Sequence, residues 1–267
     1  MTRPRSGSIK QRIRIAQADA ISSDMTRCTI PGCGRQTMRA TGQGLAAFHC
    51  KRCVERRARF GSYWAPSLLA TDLKPYLDVA TQWIKEHRSD TFITHALIAL
   101  QGLLDTAGRA ENAQDIKWRS ASSRARIAFA RLRDANVKPE RLLAIHMAVS
   151  ALIEDDAGSH RVTEYRIVQV AKAAHRLASG THRHWDLPMD DGSTAPIEFH
   201  AYPKSSGRVL RAIGKAIEEI CSMVTERDLQ ALRDLKRERF GKHPSQLPGW
   251  RPLWARKRDA AAMMTKR

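Results

Sequence analysis

The sequence predicts a mainly α protein in which a small metal-pinned module precedes a helical domain carrying one short β-hairpin. Three observations predict it. Four cysteines, Cys28, Cys33, Cys50 and Cys53, stand as two close pairs near the start. Apolar residues then recur at three- and four-residue spacing through most of the chain, the period of a helix with one buried face. A single stretch around Ile197 and Phe199 alternates apolar with polar residues instead, which is the period of a strand. With 267 residues, 42% of them hydrophobic, there is enough apolar material for a substantial core.

Taken in order, residues 1–25 read as a basic arm. Residues 26–64 read as the module, with Gly32, Gly34, Gly42 and Gly44 for its turns. Phe48, Val54, Phe60, Tyr63 and Trp64 are its expected core, and Gly61 the end of its helix. Residues 65–241 read as the helical domain. Its first helix is expected to be capped by Thr71, with Pro75 in the first turn and Leu73, Leu77, Ala80 and Ile84 inward. A second carries Phe92, Ile93, Ala96, Leu97, Leu100 and Leu104 and closes at Gly108. A third is expected over about 112–135, with Asn136 as its C-cap. Pro139 opens a fourth, with Leu142, Ile145, Val149 and Leu152 along one side.

After the break Asp155-Asp156-Ala157-Gly158, Thr163 is the expected cap of a fifth helix, with Ile167, Val170, Ala171, Ala174 and Leu177 inward and Gly180 as its stop. The hairpin is expected within 182–203, turning at Asp191-Gly192. A long helix follows with Val209, Ile213, Ile217, Ile220 and Val224 on one face, and Cys221 reads as a buried thiol among them. Thr225 to Asp228 has the spacing of a capping box, and the helix it opens ends at Gly241. Residues 242–267 form a basic tail with Trp250 and Trp254 as possible anchors.

The net charge of +19 is lopsided. Residues 1–70 carry 13 basic and only 3 acidic side chains. Such a field draws polyanions and releases their counterions on binding. The cysteines stand in the same stretch, as C-x4-C and C-x2-C separated by sixteen residues. Two close pairs across a short loop are what a tetrahedral thiolate site needs, and soft thiolates select Zn2+. Four protein ligands leave no open position, so the expected metal is structural. His49 is a second-ranked ligand beside Cys50. Cysteines in metal spacing point to a reducing compartment, and no apolar run reaches the length of a membrane span. The expected location is the cytoplasm of a bacterium, or its nucleoid, for a host- or phage-encoded protein.

The run Cys28-Thr-Ile-Pro-Gly-Cys33-Gly-Arg35, then Gly44-Leu45, Cys50-Lys-Arg-Cys53-Val-Glu-Arg-Arg57 and Phe60-Gly61-Ser62 resembles the short treble-clef zinc modules related to HNH endonucleases. Such modules are common in bacteriophage and mobile-element proteins. The resemblance covers residues 26–64 and implies a zinc knuckle, a short hairpin and a helix bearing the second ligand pair. Two departures matter: Cys53 stands where that family often has histidine, and its catalytic His-His and Asn pattern is missing between the pairs. The resemblance therefore implies binding and not cleavage.

Candidate phosphate contacts are Lys51, Arg52, Arg56, Arg57 and Arg59 behind the second pair, with Arg35 and Arg39 in the loop between pairs. Arg52, Arg56 and Arg59 share one helical face by spacing. A second candidate is a winged helix-turn-helix over 139–203, in which Arg166, Gln169, Lys172 and Arg176 line the exposed side of a recognition helix. A third is a metal-dependent nuclease centre of Asp190, Asp191, Glu198 and His200, against which stands ordinary turn chemistry. His182 and His184 form an H-x-H read as a strand end. The reading that emerges is a zinc-stabilised DNA-binding protein without chemistry, a regulator or accessory factor of a phage or integrated element. RNA or ribosome association is the alternative partner class, and the helical domain is the expected surface for self-association or a protein partner.

Overall fold

In a computed structural model, residues 27–30, 32–37, 48–113, 115–178, 181–190, 193–201 and 205–251 are described, with 181–183, 199 and 200 described by backbone only. The basic arm, Arg39, Gly180, Asp191 and Trp254 lie outside the described residues. The chain divides into two compact units, one of residues 1–58 with 251–267 and one of residues 59–250.

The expected fold class is observed: the described residues are mainly helical, with one two-stranded antiparallel hairpin among them. The helices are α1 (Lys51–Phe60), α2 (Ala70–Glu86), α3 (Thr91–Asp105), α4 (Ala121–Asp134), α5 (Pro139–Asp155), α6 (Thr163–His175), α7 (Gly207–Cys221) and α8 (Glu226–Phe240), with the hairpin strands β1 (Thr181–Pro188) and β2 (Thr194–Ala201) between α6 and α7. No helix among the described residues is long and apolar enough to cross a membrane.

The larger unit is organised around α5. Between Arg141 and Glu154 its sequence has no ionisable residue but His146, and every position from Leu142 to Ile153 is buried. A helix that is apolar all round needs neighbours all round, and α2, α3, α6, α7 and α8 all pack on it. The one-sided stripe expected for this helix is therefore too narrow: Leu143, Ala144, Met147, Ala148 and Ala151 are as buried as Leu142 and Val149.

Local signals decide most boundaries. Asp90 caps α3 through the amides of Phe92 and Ile93, and Pro139 is in the first turn of α5. Ala135, not Asn136, is the C-cap of α4; Asn136 follows it at a left-handed φ of 55°, where its short polar side chain is tolerated. Thr225 and Asp228 form the reciprocal capping box of α8, and Gly241 ends that helix at φ 75°.

Other expectations need correction. The helix expected over 112–135 is two pieces, a 3-10 turn at Asp115–Trp118 and α4, because the Ser120 hydroxyl accepts from Ser123 N–H at 3.1 Å and starts a new helix. Thr71 and Thr163 do not cap; each lies inside its helix, and Leu69 and Val162 hold the cap positions. Pro75 is past the first turn of α2. Phe92, expected in the core, is largely exposed.

Close contact fixes α7 on α6. An added Cβ at Gly214 would lie 2.1 Å from the Ile167 carbonyl oxygen, so only glycine lets the two backbones approach this closely. Ion pairs flank the contact: Arg211 with Glu164 at 2.6 Å, and Arg166 with Glu218. Glu218 also meets His146 Nε2 of α5 at 3.0 Å. Burial raises the Glu218 carboxyl, but the bonds to His146 and Arg166 outweigh it and hold it at about 2.

Candidate metal centre and its basic helix

The metal centre is built from two turns. Cys28 N–H donates to the Arg35 carbonyl at 2.7 Å and Cys33 N–H to Ile30 at 3.0 Å. An isolated bridge between Arg27 and Gln36 closes the knuckle outside them. Gly32 and Gly34 take φ of 74° and 59°, left-handed values at which a Cβ is strained. The second pair opens α1: Cys50 precedes it, its carbonyl accepting from Val54 N–H at 3.1 Å, and Cys53 sits in the first turn. Thr29 ties the halves together, its N–H donating to the Phe48 carbonyl at 3.0 Å.

The result is a convergent set of sulfurs. Cys33 Sγ lies 3.6 Å from both Cys50 Sγ and Cys53 Sγ, and all four ligand atoms fall within 4.8 Å of one another. Zn–S bonds of about 2.3 Å put tetrahedral sulfurs about 3.8 Å apart, so the set fits that ion. It does not fit disulfides, whose sulfurs sit about 2.0 Å apart, and all four cysteines are free. His49 is not a fifth member; its Nδ1 is 3.2 Å from the Thr29 hydroxyl.

The thiol chemistry agrees. Burial raises Cys28, yet hydrogen bonds to the backbone of Cys50 and Ile30 outweigh it and bring it down to about 7. Burial pushes Cys33 and Cys53 up, Cys53 far up because the neighbouring thiols add to it. Sulfurs this close resist ionising together unless a cation shares their charge.

Around this centre stand the expected basic residues. Lys51, Arg52 and Arg59 are exposed on α1, Arg56 and Arg57 half-buried, and Arg35 exposed in the knuckle. The Arg56 Nε is buried without a hydrogen-bond partner among the described residues.

No family model, curated protein or solved structure matches this chain. Four cysteines within metal-binding distance support a metal module compatible with zinc.

The α6 set is not the exposed face expected of a recognition helix. Gln169 is buried: its Nε2 donates to the Phe60 carbonyl at 3.0 Å and its Oε1 accepts from Leu68 N–H at 3.0 Å. Arg166 is engaged by Glu218. Lys172 Nζ donates to the Ser67 hydroxyl at 2.6 Å and lies 4.4 Å above the Phe60 ring. Only Arg176 stands exposed. The face is occupied by residues 60–69, held further by the Tyr165 hydroxyl donating to the Pro66 carbonyl at 2.6 Å. Phe60 and Trp64, expected in the module core, make their contacts in the larger unit instead, Trp64 meeting His160 in a tilted ring contact at 3.9 Å.

Asp190 and Glu198, the members of the nuclease constellation whose side chains are described, do not converge. Asp190 is in the turn closed by Met189 N–H donating to the Ser193 carbonyl at 2.8 Å, while Glu198 pairs with His184 well down the ribbon. Strand rise puts these positions roughly 15 Å apart, beyond the reach of one metal ion. The register instead pairs His182 with His200, a relation that H-x-H spacing on one strand cannot reveal.

Proposed function

We propose that this chain is a zinc-stabilised DNA-binding protein that performs no chemistry at its metal. The observation that carries the reading is the four-sulfur cluster at the start of a helix that bears Lys51, Arg52, Arg56, Arg57 and Arg59. A closed thiolate site fixes the first turn of α1, which ten residues alone would hold only marginally in water. Fixed guanidinium groups then meet phosphates without first losing their freedom, which is where affinity is otherwise lost. The concentration of positive charge in residues 1–70 supports the same surface. On this reading the module is of the treble-clef kind and serves a regulator or accessory factor of a phage or integrated element, acting in the cytoplasm or nucleoid.

The test pairs metal content with binding. Native protein should hold one zinc per chain, and Cys53→Ser should lose it. Affinity for duplex DNA should fall steeply with salt, and the combined Arg56→Ala, Arg57→Ala, Arg59→Ala variant should reduce the log–log salt slope by about three units. An unchanged slope in that variant removes the proposed surface. Structured RNA outcompeting duplex DNA transfers the reading to an RNA- or ribosome-associated factor.

A further inference from the structure

A groove of about 400 Å³ opens on the larger unit between residues 67–70 and helices α2, α5 and α6. Its floor is apolar, with Leu73, Leu77, Ile145, Val149 and Leu177 among the lining residues. Its charged residues are Lys74, Asp78, Arg141, Lys172 and Arg176. Lys74 is matched by Asp78 at 2.6 Å. The other three have no carboxylate partner among the described residues.

Lys172, in the last turn of α6, and Arg176, its C-cap residue, are four positions apart. Burial lowers the Lys172 ammonium to about 8, and the charge of Arg176 adds to the fall. Two like charges beside an apolar floor are a local cost, and an anion between them would offset it.

We propose that this groove binds an amphipathic carboxylate, with the anionic head between Lys172 and Arg176 and an apolar chain or ring along Leu73, Leu77 and Val149. The volume suits such a molecule, since small-ligand sites run from about 300 to 1,000 Å³ with apolar walls and a few convergent polar groups. A carboxylate fits better than a phosphate ester. It carries one charge and not two, and the second is costly to desolvate beside a buried floor. Arg176 offers a planar fork to its two oxygens. Arg141, on α5 and also lining the groove, adds to the field that draws the head in.

The experiment titrates the full, zinc-loaded chain with octanoate and, separately, with 1-octanol. Backbone amide shifts are followed by NMR in the absence of nucleic acid. Octanoate should bind saturably with Kd of order 10⁻⁴ M, at least about tenfold tighter than octanol. Lys172→Gln with Arg176→Gln should erase that preference and leave octanol binding unchanged. Ala173→Trp, on the groove wall, should block both; if it does not fold, the double variant decides alone. Octanoate binding no tighter than octanol, no saturation by about 5 mM, or indifference to the double variant would overturn the proposal. None of these outcomes bears on the DNA reading, which rests on other residues.

Discussion

Replacing Gly214 by alanine tests the α6–α7 contact most directly. The new methyl carbon would lie 2.1 Å from the Ile167 carbonyl oxygen and 2.8 Å from its carbonyl carbon. Ordinary contact distances begin near 3.2 Å, so the helices must separate by about 1 Å. The obstruction is backbone, and no rotamer change relieves it. A gap of that size forfeits up to about half of each van der Waals well along the seam, which includes the buried Leu210, Ile213, Ile217 and Val170. Overpacking of this kind costs about 1–3 kcal/mol, and a backbone obstruction belongs at the upper end. Alanine returns about 1 kcal/mol of helix propensity. The net expectation is a loss of about 2 kcal/mol, or a fall in Tm of roughly 4–8 °C for a domain this size. Urea denaturation followed by circular dichroism should show a lower midpoint with an unchanged slope. Gly102 in α3 is the control, since nothing lies within 4 Å of its added Cβ; Gly102→Ala should stabilise by up to about 1 kcal/mol. If both substitutions stabilise, the close approach of the two backbones is refuted.

Two further outcomes follow from buried polar groups. Glu218 is held at about 2 against an ordinary 4.5, so its stabilisation is fully present above pH 4.5 and lost as pH falls toward 2, amounting to at most about 3 kcal/mol. Glu218→Gln should remove that part of the acid dependence in urea melts at stepped pH, and an unaltered dependence would show that the Arg166–Glu218–His146 cluster is not formed. Gln169→Leu leaves the Phe60 carbonyl and the Leu68 amide without their partner, at about 1–3 kcal/mol for each group that water cannot reach; limited proteolysis between residues 60 and 69 should accelerate, and unaltered cleavage would mean that this segment does not rest on α6.

What the sequence made legible was whatever is decided locally. Each cysteine pair, the capping box at Thr225 and the proline start of α5 depend on residues within a few positions of one another. The metal pairs are the extreme case, since two short turns build the whole centre. What stayed hidden depends on distant partners. Nothing near Gln169 announces that it holds a carbonyl 109 residues earlier. Periodicity placed it on an outward face, but a second layer of chain covers that face. Arg166 was misplaced for the same reason, because its partner Glu218 lies 52 residues on. The split of the expected third helix had a signal, Ser120 ahead of three small residues, which the longer apolar spacing outweighed. The width of α5's buried surface does have a sequence signal, a run from Leu142 to Ile153 whose one ionisable residue is a histidine.

That enclosed helix bears on how the sequence can drift over time. A half-exposed helix has an outer side on which substitutions accumulate at little cost, but α5 offers none between Leu142 and Ile153. Each replacement there must be accommodated by at least one of five surrounding helices, so change at the centre can proceed only in concert with change around it. Divergent copies of this protein should therefore keep a nearly invariant twelve-residue signature there, even where their outer helices no longer align.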